Sequence, residues 1–173
     1  MGKNLILCGF MGCGKTRVGK ILRKETGREF IDLDHHIERQ QKMKVSKIFE
    51  QKGEKYFRQL ENKTVRELAG REDLIIACGG GTVLTEENVI AFHEGGGVIV
   101  FLNVPVRILQ DRLRNDKKRP LLQIENRSEL IRDLYKERYP IYRSAADVTI
   151  YAGMPAQMVT KRLLRKRLIR SCL

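Results

Sequence analysis

At 173 residues with 42% hydrophobic content, the chain is long enough for one well-buried core and too short for two independent domains. A net charge of +13 suits nucleic acid, acidic membrane or small anionic substrates, and charge alone does not choose among them. Cys8, Cys13, Cys78 and Cys172 show no C-x-x-C spacing and no histidine arrangement that would hold zinc, so a reduced, cytoplasmic chain is expected.

The first apolar run, Leu5-Ile6-Leu7-Cys8, is too short to cross a bilayer and reads as a core strand. It leads directly into Gly9-Phe10-Met11-Gly12-Cys13-Gly14-Lys15-Thr16, which fits the phosphate-loop pattern G-x-x-x-x-G-K-[ST] in the strand-then-helix setting that the pattern requires. Its glycines let backbone N–H groups turn inward around the phosphates of a nucleoside triphosphate, and the following helix adds its positive N-terminal dipole. Lys15 is expected to neutralise the outer phosphates and Thr16 to ligate magnesium.

Beyond the loop, helices and strands alternate. A helix from Lys15 ends before Gly27, then come a strand over 29–33, a long helical middle and a strand over 74–78. A helix over 86–93 precedes a strand over 98–102, a helix opened by Pro105, a basic loop, another helix, a strand over 148–150 and a last helix opened by Pro155. Such βαβ punctuation predicts one parallel sheet covered on both faces. In the last helix, cations from Lys161 to Arg170 surround Leu163, Leu164, Leu168 and Ile169. We read the apolar residues as packed on the sheet and the charges as solvated, in preference to a membrane-surface or partner helix.

Ligands of open parallel sheets bind beyond the carboxyl ends of the strands. Gly79-Gly80-Gly81 follows a strand and belongs on the phosphate-loop edge, whereas Gly95-Gly96-Gly97 precedes one and is expected to be a turn on the opposite edge. Asp32 and Asp34 end the second strand, two apart and on one face if strand geometry persists. One carboxylate then holds magnesium through water and the other orients or deprotonates an attacking hydroxyl, the alternative for Asp34 being a plain helix cap. Arg58, next to the core aromatic Phe57, and Arg138 stay open between ligand-facing and solvated. The stretch Arg114-Asn115-Asp116-Lys117-Lys118-Arg119, ended by Pro120-Leu121-Leu122, is either a basic flap over the transferring phosphoryl group or a solvated loop. His35, His36 and His93 lack partner spacing for a metal or a triad and read as structural or exposed.

Together these residues resemble the shikimate kinase family, a branch of the nucleoside-monophosphate-kinase-like P-loop enzymes, over nearly the whole chain. The resemblance rests on the phosphate loop, on Asp32-Leu33-Asp34 with Ile37-Glu38, and on Ile48-Phe49 with Gly53-Glu54 and Phe57-Arg58 through Glu61. It continues through Gly79-Gly80-Gly81, Arg112 with Arg119-Pro120-Leu121-Leu122, and Arg138 with Tyr142 and Ala145. It implies an α/β, three-layer P-loop fold in a single domain over 1–173, its five-stranded parallel sheet in the order 2-3-1-4-5, with a helical substrate-binding insertion at about 33–61 and a lid at about 112–126. The implied reaction is MgATP-dependent transfer of a phosphoryl group to the 3-hydroxyl of shikimate, giving shikimate 3-phosphate and ADP in aromatic amino acid biosynthesis.

The resemblance also implies roles for particular residues. Asp34, Lys15 and Arg119 form the catalytic set, with Asp34 on the accepting hydroxyl and Arg119 reaching the phosphates from the lid. Arg58, Arg138 and the backbone of Gly80 and Gly81 hold the shikimate carboxylate, with Glu61 orienting Arg58. Gly12, Cys13, Gly14, Lys15 and Thr16 surround the phosphates, and Arg112 and Pro155 sandwich adenine. Thr16 and, through water, Asp32 hold magnesium. A monomer acting on a small molecule, with no nucleic-acid and no membrane partner, is expected. The chain departs from the family pattern at Arg23, Lys42 and Lys44; without a glycine at Lys42, the turn between the two helices of the insertion is expected to differ locally. Two rivals remain: a relative acting on gluconate or a nucleoside monophosphate, and a nucleotide-switched nucleic-acid binder. The second lacks Trp and has no Tyr or Phe interleaved with its basic runs.

Overall fold

The computed structural model describes residues 2–116 and 122–172. Leu5, Ile6 and Leu7 are wholly buried, as a strand covered on both faces requires, and they form the centre of one parallel sheet. The strands are β1 Leu5–Cys8, β2 Glu29–Asp32, β3 Leu74–Ala77, β4 Val98–Asn103 and β5 Val148–Tyr151, in the order β2-β3-β1-β4-β5. Leu5 pairs with Ile75 on one side and Val98 on the other. The chain therefore crosses in opposite directions on the two sides of β1, which opens a crevice at its carboxyl end. Helix α1 (Lys15–Thr26) packs against α7 (Ala156–Leu164), and α3 (Val45–Ala69) against α4 (Glu86–Glu94), so helices flank the sheet. The order and the parallel pairing are those expected.

Strand geometry does not persist through Asp34. Helix α2 (Leu33–Gln41) starts immediately after β2: Leu33 and Ile37 bury their side chains while His35 between them is exposed, a pattern that fits a helix and not a strand, which would put all three on one face. Asp32 caps that helix, its Oδ1 accepting the backbone N–H of His35 at 3.3 Å, and Asp34 lies in the first turn. The cap is thus Asp32 and not Asp34.

At the end of α2, Lys42 itself adopts the left-handed conformation, with φ 52° and ψ 29°, so the turn is made without the glycine. This costs about 1 kcal/mol relative to glycine. Glu38 completes the junction by accepting the backbone N–H of Val45 at 3.1 Å and the Lys44 ammonium at 3.0 Å. Those donors outweigh the effect of its partial burial and hold its carboxyl below the usual range. Helix α3 is broken once, at Gly53, where φ is 79° and ψ 168°. A single turn of 3-10 helix over Thr82–Leu84, unforeseen in the sequence, follows the first glycine run. The second run, Gly95-Gly96-Gly97, turns from α4 into β4, as expected.

Helix α5 spans Val106–Leu113 and α6 spans Arg127–Ala145. The last helix is two pieces, α7 and α8 (Arg167–Arg170), parted by Lys166 in an extended conformation. Leu163 and Ile169 pack inward as expected, but Leu168 stands 41% exposed, because the break turns it away from the sheet.

Candidate active site

Three glycines shape the loop after β1. Gly9, Gly12 and Gly14 have φ of 138°, 77° and 100°, values that side chains disfavour. A Cβ at Gly12 would also stand 3.1 Å from Leu113 Cδ2. Gly14 begins α1 with no side-chain cap, so the N–H groups of that helix end are available to an anion. The Lys15 ammonium donates to the carbonyls of Gly9 at 2.7 Å and Phe10 at 3.2 Å, within the loop it is expected to serve. Cys13 lies beside it, Sγ 3.6 Å from Nζ. Thr16 donates through Oγ1 to Asp32 Oδ2 at 2.6 Å, which joins the two residues assigned to magnesium.

A cavity of about 280 Å³ adjoins the loop and is lined by Gly12, Cys13, Arg112, Pro155 and Val159 among others, so both residues assigned to adenine face one space. Arg112 is fixed there by donating to the carbonyls of Gly12 at 3.2 Å and Ala152 at 3.4 Å. A larger cavity of about 770 Å³ lies between α5 and α6, lined in part by Arg114 of the basic stretch but by none of the residues assigned to catalysis, nucleotide or acceptor. On its wall, Arg127 donates to the carbonyls of Leu113, at 3.2 Å, and of Arg114 and Leu122. One guanidinium therefore ties together the two ends of the stretch 114–122. Arg119, expected to act from that stretch, lies outside the described residues.

Across the sheet edge a second group converges on Gly79-Gly80-Gly81. A Cβ at Gly79 would stand 2.7 Å from Asp34 Oδ1 and 3.3 Å from Glu61 Oε1, and one at Gly81 would stand 2.6 Å from an Arg58 guanidinium nitrogen. Bare backbone is what lets these three side chains approach. Glu61 is wholly buried and accepts from Arg58 at 2.7 Å and from the Thr82 hydroxyl at 2.7 Å. Arg58 also meets Glu54 at 3.1 Å. The Tyr142 hydroxyl donates to the Gly80 carbonyl at 2.6 Å, and burial pushes that phenol well above its ordinary range. Gly80 in turn faces the phosphate loop, its Cβ position 3.8 Å from the backbone nitrogen of Met11. The Nε of Arg138 is the one buried side-chain polar atom among the described residues without a hydrogen-bond partner. A buried cationic donor left unmatched is costly, and an anionic ligand would satisfy it.

Burial, together with the charges of Asp32 and Glu61 and against the opposing effect of Lys15, raises the Asp34 carboxyl to about 6. It is thus poised to take a proton near neutral pH. The four cysteines are free and buried; burial pushes the Cys8 thiol up to about 12 and the Cys78 thiol well above its ordinary value. His35 is exposed beside Asp32, and His93 pairs with Asp147 at 3.3 Å, away from the site. Sequence reasoning passed over Thr82 and gave Tyr142 no role. Thr82 adjoins the glycine run and was within reach of inspection, whereas nothing local marks a hydroxyl that bonds 62 residues away.

The two halves, a triphosphate loop and an arginine-lined acid pocket, thus share one rim, and the comparisons with known proteins agree with that pairing. The family model described as Shikimate kinase matches residues 11–167. The shikimate kinase of Aromatoleum aromaticum is 44% identical over 149 residues, 86% of this chain and 85% of its own length. That of Thermoanaerobacter pseudethanolicus is 47% identical over 148 residues, again 86% and 85%. The solved shikimate kinase of Acinetobacter baumannii, in complex with shikimate, superposes with a TM-score of 0.87 at 40% identity, covering 95% of this chain and 92% of that one. With the loop, the acid pocket, the sheet order and the matched length all in agreement, this chain belongs to the shikimate kinase family.

Proposed function

We propose that this site transfers the γ-phosphoryl group of ATP, the donor its family uses, to the 3-hydroxyl of shikimate, and that the residues divide the work as follows. Arg58, Arg138 and the backbone of Gly80 and Gly81 grip the carboxylate of the acceptor, each charge-assisted bond contributing roughly 1.5 to 3 kcal/mol. Asp34 accepts the proton of the attacking hydroxyl as its oxygen bonds to phosphorus and the bond to the ADP oxygen breaks. General-base help of this kind is worth about 10² to 10⁴ in rate. Lys15 moves from the carbonyls of Gly9 and Phe10 to the phosphates, and Arg119 reaches them from its own stretch. Arg112 and Pro155 hold adenine between them. Positioning and charge stabilisation carry most of the acceleration, since phosphoryl transfer needs little covalent assistance.

Thr16 and Asp32 suit magnesium: an exposed hydroxyl and a carboxylate oxygen, 2.6 Å apart at the phosphate loop, are the hard oxygen donors that such an ion takes. Bound there, the ion neutralises phosphate charge as it develops. The whole chain works as one domain with residues 33–61 as its acceptor-binding part, as a cytoplasmic monomer, and its turnover needs neither nucleic acid nor lipid.

One observation carries this reading. The base, the carboxylate-gripping arginine and the bare glycine backbone meet within contact distance at Gly79 and Gly81, while Gly80 faces Met11 of the phosphate loop. A coupled ADP-release assay with MgATP and a panel of shikimate, gluconate and AMP tests it. Turnover on shikimate is expected; turnover only on gluconate or AMP overturns the assignment.

A further inference from the structure

The outer face of the C-terminal helices is used by none of the chemistry above, yet its composition is distinctive. Six cations fall between residues 161 and 170 with no carboxylate among them. Helical spacing puts Met158, Lys161, Arg162 and Arg165 on one exposed stripe, at i, i+3, i+4 and i+7, while Val159, Thr160 and Leu163 bury the other side. Met158 is 55% exposed, more than any other large hydrophobic residue among those described, and Leu168 on α8 is 41% exposed beside Arg167 and Arg170. Helix α1, packed against α7, adds Lys20, Arg23 and Lys24, all in solvent. Among the described residues none of the cations on this face is in an ion pair with a carboxylate.

We propose that this face docks reversibly on an anionic phospholipid surface, its cations on the headgroups and Met158 and Leu168 at the boundary with the acyl chains. Cations flanking an exposed apolar side chain on one helix face, as Lys161, Arg162 and Arg165 flank Met158 on α7, are what an interfacial helix presents, and Leu168 adds a second exposed apolar residue on the short helix that follows. A nucleic-acid backbone would engage the charges and leave the two apolar residues idle, and neither α7 nor α8 has an aromatic residue for stacking on bases. No helix among the described residues is long and apolar enough to cross a membrane, so the association is peripheral. The stripe is separate from Ala156 and Val159, the α7 residues that line the nucleotide cavity, so docking leaves that cavity open. The proposal departs from the sequence expectation of no membrane partner.

Co-sedimentation of the full chain with vesicles of phosphatidylglycerol and phosphatidylcholine, against phosphatidylcholine alone, tests the proposal. Binding is expected only with the anionic lipid and weakens as salt is raised. Arg162→Glu with Arg165→Glu should lower partitioning at least about twentyfold, at roughly fivefold per cation near the surface. Met158→Ser with Leu168→Ser should lower it several-fold at unchanged charge, and both double variants should keep wild-type kinase turnover. The proposal is overturned if anionic vesicles bind no better than neutral ones, or if the apolar variant partitions like wild type. Capture of duplex DNA as tight as that of the anionic vesicles would also overturn it, making the face a general polyanion binder.

Discussion

The hydroxyl of Tyr142, at the inner end of α6, donates to the carbonyl of Gly80 at 2.6 Å and so pins the glycine turn against the phosphate loop. Tyr142→Phe removes that donor and leaves a partly buried carbonyl unsatisfied, at about 1 to 3 kcal/mol. The expected outcome is a raised KM for shikimate with the KM for ATP nearly unchanged, measured by initial rates at saturating levels of the other substrate. Equal loss on both substrates would mean that Tyr142 supports the fold and not the acceptor pocket.

Asp34 should set the acid limb of the pH profile. With its carboxyl at about 6, the ionised fraction falls tenfold per unit below that value, and kcat/KM should follow. Asp34→Asn should lower kcat by about 10² to 10⁴ while ATP affinity holds. Nucleotide titration with the variant separates that result from a general collapse.

The same carboxyl weakens the fold. Its folded value lies above the ordinary 3.8, so the penalty on the native state is full above about pH 6 and is relieved as pH falls toward 4. Asp34→Asn should therefore raise Tm at pH 8, by an amount reflecting at most about 3 kcal/mol, and the gain should shrink at pH 5. Thermal melts of both proteins at the two pH values decide it; a variant less stable at pH 8 would contradict the burial argument.

Glu61, in contrast, supports the fold through its two partners. It is buried with both, and Glu61→Gln removes the buried one of the two carboxylates that Arg58 meets. A loss of about 3 kcal/mol, roughly 6 to 12 °C in Tm, is expected for breaking such a pair. Denaturant melts together with the KM for shikimate measure both consequences, and an unchanged KM would place Arg58 outside the acceptor site.

Arg127 grips backbone carbonyls at both ends of the stretch 114–122, and Leu113, one of the residues it holds, packs on Gly12. Arg127→Ala should raise the KM for ATP more than that for shikimate. Arg127→Lys, which cannot span three carbonyls with one planar group, should rescue only part of the loss. Steady-state kinetics on the two variants tests the order.

How much of this was legible in the chain differs from residue to residue. The phosphate loop declared itself, because its glycines and Lys15 answer a backbone requirement that is local in sequence. Asp32 and Asp34 were found as a pair but placed on a strand, since the burial of Leu33 and Ile37 that starts a helix there is set by packing partners far along the chain. Arg58 and Arg138 stayed undecided until tertiary structure gave one of them a buried glutamate and left the other with an unmatched nitrogen. Lys42 shows that tertiary context can hold a lysine where a glycine would be easier. The break at Lys166, and with it the exposure of Leu168, had no signal in a periodicity that ran on unbroken.

The close approach at Gly79 and Gly81 also bears on inhibition. A compound that anchors on the peptide groups of this turn meets positions where even a methyl substituent collides with Asp34 or Arg58. Resistance by substitution there would displace the side chains to which the proposed reaction is assigned, which makes this turn a durable foothold for drug chemistry.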